Sequence, residues 1–370
     1  NPFNYFAHTQ SAFSLIVQYA SYGGIFLVSF ISVLIASYFV KIYLDPSWKK
    51  AVPLLLIFVI LAALPFLVQP AEEEELSRHS VELLAANSVQ SDNTFEKIEA
   101  EINNLSSLVE NSESEIIFTP EKSISFDLIR NNYYRDQLYS KLKNNLQQES
   151  YLQLGAMSAA EGSYDAEIFN SLFLLSDEME IINRSNKQRN ILDGVNFPYL
   201  EKVTVFLADY LNINLQFIKL NRSVEAVEIE GLNYLNLFAE EIFIPLTSRK
   251  LNYGREQNLI VHSAAEEQID SNVYSNYSFA ASVYRAAESN TDLIRVVSGG
   301  YSAYINEKGR IVIKKRINNS SETVNLSLQN KQSYYQKNPE QIINIIIIIF
   351  LTIALIKIII VIKNKWSSRN

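Results

Sequence analysis

Three apolar stretches limit what this chain can fold into. Gly23 to Leu44 (GGIFLVSFISVLIASYFVKIYL) and Ala51 to Leu67 (AVPLLLIFVILAALPFL) lie near one end. Ile342 to Ile362, interrupted only by Lys357, lies at the other. Each matches the roughly 20 residues that a helix needs to cross a bilayer core. An uninterrupted run of five isoleucines, Ile345 to Ile349, needs lipid or a very large core around it. The expected organisation is a membrane region over 1–67 with two transmembrane helices, a large polar domain over 68–333, and a C-terminal transmembrane helix over 341–363. The polar stretch is long enough to bury a core of its own.

Charge and composition exclude several kinds of function. The 370 residues carry a formal net charge of −8, and no basic stripe with interleaved aromatics offsets it, which argues against nucleic acid. There is no cysteine, so neither disulfides nor thiolate chemistry can occur. The three histidines, His8, His79 and His262, have no ligand-like spacing, and neither a metal nor a cofactor is expected. The chain opens with Asn rather than Met, and further sequence is expected upstream. The link KIYLDPSWKK between the first two spans carries Lys41, Lys49 and Lys50, and Lys363, Lys365 and Arg369 follow the third. Positive charge beside spans marks the cytoplasmic side, and three crossings make those two segments face the same way. The polar domain is then expected outside the cytoplasm. Trp48 and Trp366 flank spans where interfacial aromatics belong.

Within the domain, the acidic run Glu72 to Glu75 reads as a solvated helix start. Asn93 and Glu96 make a capping box for a helix whose apolar face is Phe95, Ile98, Ile102, Leu105 and Leu108. Strands are expected over Glu115 to Phe118, Tyr151 to Ala156, Glu167 to Leu175, Ile242 to Leu246 and Asn258 to His262. A helix through Phe279 to Glu288 follows, then a meander, LIRVVSGGYSAYINEKGRIVIKK, with turns at Gly299-Gly300 and Asn306 to Gly309. Helices alternating with strands predict a layered α/β domain.

These pieces resemble a known family in order and spacing. NPFNYFAHTQ with YGGIFLVSF, FLVQPA, IIFTPEKSIS, LQLGA with IFNSLFLL, NRSNKQRNILDGVNFP and IRVVSGGYSAYINEKGRIV follow one another nearly end to end. Together they resemble apolipoprotein N-acyltransferase, a membrane-anchored carbon–nitrogen hydrolase (nitrilase-like) family. The resemblance implies a nitrilase-like α-β-β-α sandwich flanked by transmembrane helices, and FLVQPA as its first strand. It also implies location in the bacterial inner membrane with the domain on the extracytoplasmic side. The family's reaction moves an acyl chain from a membrane phospholipid to the amino-terminal cysteine of a diacylglyceryl lipoprotein.

Such a transfer needs a nucleophile, a base and a group that stabilises the oxyanion. The resemblance puts the catalytic glutamate on Glu121 and the catalytic lysine on Lys187. It places the family's cysteine elbow on Pro245-Leu246-Thr247-Ser248-Arg249-Lys250, so that Ser248 stands where the cysteine belongs. A hydroxyl is a far weaker acid than a thiol of pKa ~8.5. The family's glutamate after Pro-Phe-Gly falls on Val195, and the segment after the next strand has become HSAAEE, His262 to Glu267. Two readings stay open. One is an enzyme using Ser248 with Glu121 and Lys187. The other is a catalytically inactive protein of the same fold that binds lipid or lipoprotein, or acts as a scaffold.

Overall fold

Strand-forming runs rich in Ile, Leu, Val and Phe dominate the residues described by the computed structural model. These are 5–47, 52–56, 59, 77–86, 91–159, 168–187, 226–245, 258–267, 269, 271–328 and 332–367. One sheet contains β1 (Ser77–Ala85), β2 (Ile116–Phe118), β3 (Tyr151–Ala159), β4 (Ile168–Ser176), β5 (Ile181–Asn186) and β12 (Ser320–Leu328). The other contains β6 (Val227–Ile229), β7 (Leu232–Phe238), β8 (Leu259–Ala265), β9 (Asp292–Ser298), β10 (Ser302–Ile305) and β11 (Ile311–Lys315). Their orders are β12-β1-β2-β3-β4-β5 and β11-β10-β9-β8-β7-β6. Each sheet has three parallel strands at its heart, β1-β2-β3 and β7-β8-β9, with antiparallel strands on both sides.

Five longer helices accompany them: α1 (Ala20–Leu44), α2 (Thr94–Val109), α3 (Asn132–Asn145), α4 (Asn272–Ser289) and α5 (Gln341–Ser367). The layers follow from where apolar side chains go. Val81, Leu83 and Phe118 of the first sheet meet Tyr234, Val261 and Val296 of the second in a core between the sheets. Ile98, Ile102 and Leu105 of α2 and Leu138 and Leu142 of α3 cover the outer face of the first sheet. Phe279, Val283 and Tyr284 of α4 cover Leu235, Leu237 and Ile260 on the second, joined by Ile25 and Val28 of α1. The result is an α-β-β-α sandwich, the layering that the resemblance implies.

Several elements differ from the sequence reading. Asn93 caps α2 by accepting from Phe95 N, but Glu96 accepts from Ser91 instead of closing the box, and Phe95 is exposed. The strand expected over Ile242 to Leu246 does not form in its described part, Ile242 to Pro245. The strand ends earlier, at Phe238, and Ala239–Phe243 form a 3-10 turn. Glu241 closes that turn by accepting from Phe238 N at 3.1 Å, and Ile242 and Phe243 turn their apolar mass under α4. The first described strand is Ser77–Ala85; FLVQPA and the run Glu72 to Glu75 lie outside the described residues.

Of the three apolar stretches, the first forms α1, which by length and composition could cross a membrane. Its helical geometry breaks at Gly23 and Gly24. Gly24 has φ 66°, and a Cβ there would lie 2.4 Å from the Tyr335 ring. Of the second stretch only 52–56 and 59 are described, as helix. The third lies within α5, where Ile348, Leu351, Leu355 and Ile358 are exposed.

Candidate functional site

The site is assembled where strands of both sheets end. β2 runs into Thr119-Pro120-Glu121, and the turn is fixed from several sides. Thr119 N donates to Gln153 O, Thr119 Oγ1 accepts from Gly155 N, and Ser123 Oγ donates to Pro120 O. Gly155 is required here, because a Cβ on it would lie 2.0 Å from Pro120 O. Lys122 takes a left-handed φ of 58°, which turns the chain away immediately after the glutamate. Lys187 follows the last residue of β5, with its N donating to Asn170 O of β4 at 2.8 Å. Glu240 follows β7 within the 3-10 turn.

These three side chains meet in the interior. Lys187 Nζ lies 3.3 Å from Glu121 Oε1 and 3.1 Å from Glu240 Oε2. Glu121, Lys187 and Glu240 are 3%, 5% and 5% exposed, so the charges compensate one another with little help from water. Asn170 Nδ2 also donates to Glu121 Oε1. The second carboxyl oxygen of Glu121, Oε2, is buried without a hydrogen-bond partner. Burial pushes the Glu121 carboxyl above the ordinary carboxylate range; Lys187 opposes that rise and Glu240 adds to it. Burial alone would lower the Lys187 ammonium, but the carboxylates of Glu121 and Glu240 hold it above its usual value. The site therefore presents a buried ammonium held between two carboxyl groups, one of which burial raises.

The structure brings together two of the three residues singled out from sequence, Glu121 and Lys187. Ser248 lies outside the described residues. Among the described residues, no hydroxyl hydrogen-bonds to Glu121 or Lys187. Sequence reading missed Glu240, which supplies the third charge. It is one of the paired acids of AEEIF after the apolar run LNYLNLF, a pattern that by itself does not mark a buried acid. Among the described residues, no group of three or more His, Asp and Glu could hold a metal ion.

Neither a family model nor a curated protein matches the chain. Solved structures do match it. One is the crystal structure of a carbon–nitrogen hydrolase superfamily protein from Xanthomonas campestris with an arsenic adduct in its active site. The identity is 12%, the TM-score 0.50, and the match covers 68% of this chain and 91% of that one. At that identity the likeness concerns architecture, and it agrees with the two sheets and their outer helices. The chain has a nitrilase-like α/β fold of the carbon–nitrogen hydrolase type.

Proposed function

We propose that the chain is a membrane-surface protein of the apolipoprotein N-acyltransferase type. In this reading its pocket receives a phospholipid acyl chain and the amino terminus of a diacylglyceryl lipoprotein, and holds them without completing acyl transfer. The fold supports a hydrolase or transferase ancestry for the pocket. The exposed apolar faces of α1 and α5, which pack together where they leave the sandwich, support placement at a lipid surface. One observation carries the loss of turnover: the Lys187 ammonium is already shared between Glu121 and Glu240. A lysine neutralised by two carboxylates has little left to offer a developing oxyanion.

The test is expression of the full chain in cells lacking their own N-acyltransferase. Lipoproteins should remain diacylated by mass spectrometry, while the purified protein in detergent binds a synthetic diacylglyceryl-cysteinyl peptide. A third acyl chain on the lipoproteins would overturn the loss of turnover, and absence of peptide binding would overturn the binding role.

The buried Glu121–Lys187 pair favours a second reading, an active N-acyltransferase. Glu121 would take the proton of the Ser248 hydroxyl as Oγ attacks the ester carbonyl. Lys187 would stabilise the tetrahedral oxygen, and the lysophospholipid would leave as its alcohol with the proton held by Glu121; the amine would then attack the seryl ester and displace Oγ, its proton returning to the serine through Glu121. On that reading a third acyl chain appears, and Ser248→Ala abolishes it.

A further inference from the structure

We propose that the seat of the nucleophile in this fold is Ala239, a position where this chain carries no reactive group. The proposal rests on reading the pocket as one built for acyl transfer, but the features that locate the seat are independent of any lipid.

The chain leaves β7 at Phe238 and reverses into the 3-10 turn through Ala239, whose φ is 35°. A positive φ costs an alanine about 1 kcal/mol, with no side-chain hydrogen bond to repay it, so its surroundings impose it. A sharp, strained turn between a strand and a helix is the geometry that lifts a nucleophile clear of the sheet. Ala239 is also half-buried, whereas its neighbours Phe238 and Glu240 are buried. It is therefore the accessible residue of the turn, one position from the carboxylate that meets Lys187.

A second observation concerns what holds this turn. His262 Nε2 lies 2.8 Å from Ala239 O, and His262 Nδ1 lies 2.9 Å from Arg295 Nη1. A guanidinium only donates, so Nδ1 accepts and Nε2 carries the hydrogen given to Ala239 O. Arg295 is wholly buried and is itself fixed. It donates to Ser278 Oγ at 2.8 Å and to Tyr301 O at 2.8 Å, and it pairs with Glu266. On the other side Glu241 holds Phe238 N. A buried arginine, a histidine of fixed tautomer and a glutamate thus maintain the backbone of a residue with nothing beyond Cβ. That arrangement fits a seat shaped to present a reactive side chain that this chain does not carry. Ser248 lies beyond Pro245, past the turn that these groups hold.

The chain has no cysteine, so introduced thiols can be followed singly. Ala239→Cys and Ser248→Cys are each made in a Glu240→Gln background, which releases Lys187 from one carboxylate. The rate of alkylation by iodoacetamide is then measured against pH. The thiol from Ala239→Cys should titrate about one unit below the ordinary ~8.5, and adding Lys187→Met should remove the shift. The thiol from Ser248→Cys should titrate as an ordinary thiol. His262→Leu should abolish the shift at 239, and His262→Gln, which retains a donor towards the carbonyl, should preserve it. An ordinary titration at 239, or a Lys187-dependent shift at 248 instead, would overturn the proposal. Incubation of the Ala239→Cys, Glu240→Gln protein with phosphatidylethanolamine vesicles tests the underlying reading separately. If the shift is present but no hydroxylamine-labile acyl adduct forms, the seat stands and the lipid donor does not.

Discussion

Lys187 keeps its charge in the interior because two carboxylates from opposite sheets meet it there, at 3.3 and 3.1 Å. Removing one partner from such a cluster leaves charge that water cannot reach. Lys187→Met should therefore lower stability by about 3–5 kcal/mol, read from denaturant unfolding in detergent. The loss should shrink when Glu121→Gln and Glu240→Gln are added, because the uncompensated carboxylates are then gone. A cluster that contributes nothing would give the same stability in all these variants. Glu121 and Lys187 were legible only through the resemblance of the segments that carry them, IIFTPEKSIS and NRSNKQRNILDGVNFP. Glu240 was not. Nothing local separates a buried, paired glutamate from the exposed acids that usually punctuate turns.

At the scale of elements, alternation and turn residues located most of the sheet residues that were read. β3, β4 and the meander β9-β10-β11 fall within a few residues of where Gly, Asn and apolar periodicity put them. The strand expected over Ile242 to Leu246 failed because Ile-Phe-Ile-Pro has the same apolar content in a strand as in a turn packed beneath a helix. Phe243 edges against Tyr274 of α4 at 5.8 Å, a contact visible only once α4 is in place. The β9-β10 hairpin carries a testable charge of its own. Asp292 opens β9 and accepts from Tyr304 Oη at 3.0 Å and from Glu307 N at 2.8 Å. Burial, with repulsion from Glu307 added, pushes its carboxyl up to about 7. The native state therefore keeps a proton that the unfolded chain has released by pH ~4. Stability from this group is greatest below that pH and falls as pH rises towards 7, by on the order of 4 kcal/mol at full extent. Asp292→Asn should remove that slope from a pH series of unfolding midpoints; an unchanged slope would mean the carboxyl titrates normally.

For the whole molecule, the decisive junction is the corner where the apolar helices leave the sandwich. α1 breaks at Gly23 and Gly24, and the first N–H past the break, Ile25 N, donates to Glu288 Oε1 of α4 at 2.7 Å. A carboxylate at a helix start is favourable for the exposed N–H groups and for the helix dipole. Arg285 Nη1 lies 2.8 Å from Glu288 Oε2, with both side chains inaccessible to solvent. Ser333 Oγ donates to Glu288 O, and Tyr335 fills the space over Gly24 that a Cβ would occupy. α5 starts beside them, with Ile342 against Gly23. This corner joins both apolar helices to the helix whose Ser278 holds Arg295. Arg285→Met and Glu288→Met should each destabilise by about 3–5 kcal/mol. The double variant should cost less than the sum by roughly 1–3 kcal/mol. Additive losses in a double-mutant cycle would mean that the two groups do not act as a pair.

The sequence by itself determined what depends on neighbours along the chain. It set the three long apolar stretches, the absence of any thiol and most strands of the later half, while Glu121 and Lys187 came from the resemblance of their segments. Only the tertiary structure decided which charges share the interior. Lys187 meets partners 66 and 53 positions away, and His262 reaches a carbonyl 23 positions back. Such pairings are set by how two sheets stack and where their strands stop, and no local pattern of residues records that geometry. The sequence therefore showed that the chain carries no cysteine. The folded chain was needed to show that the strained, braced turn beside Lys187 belongs to Ala239.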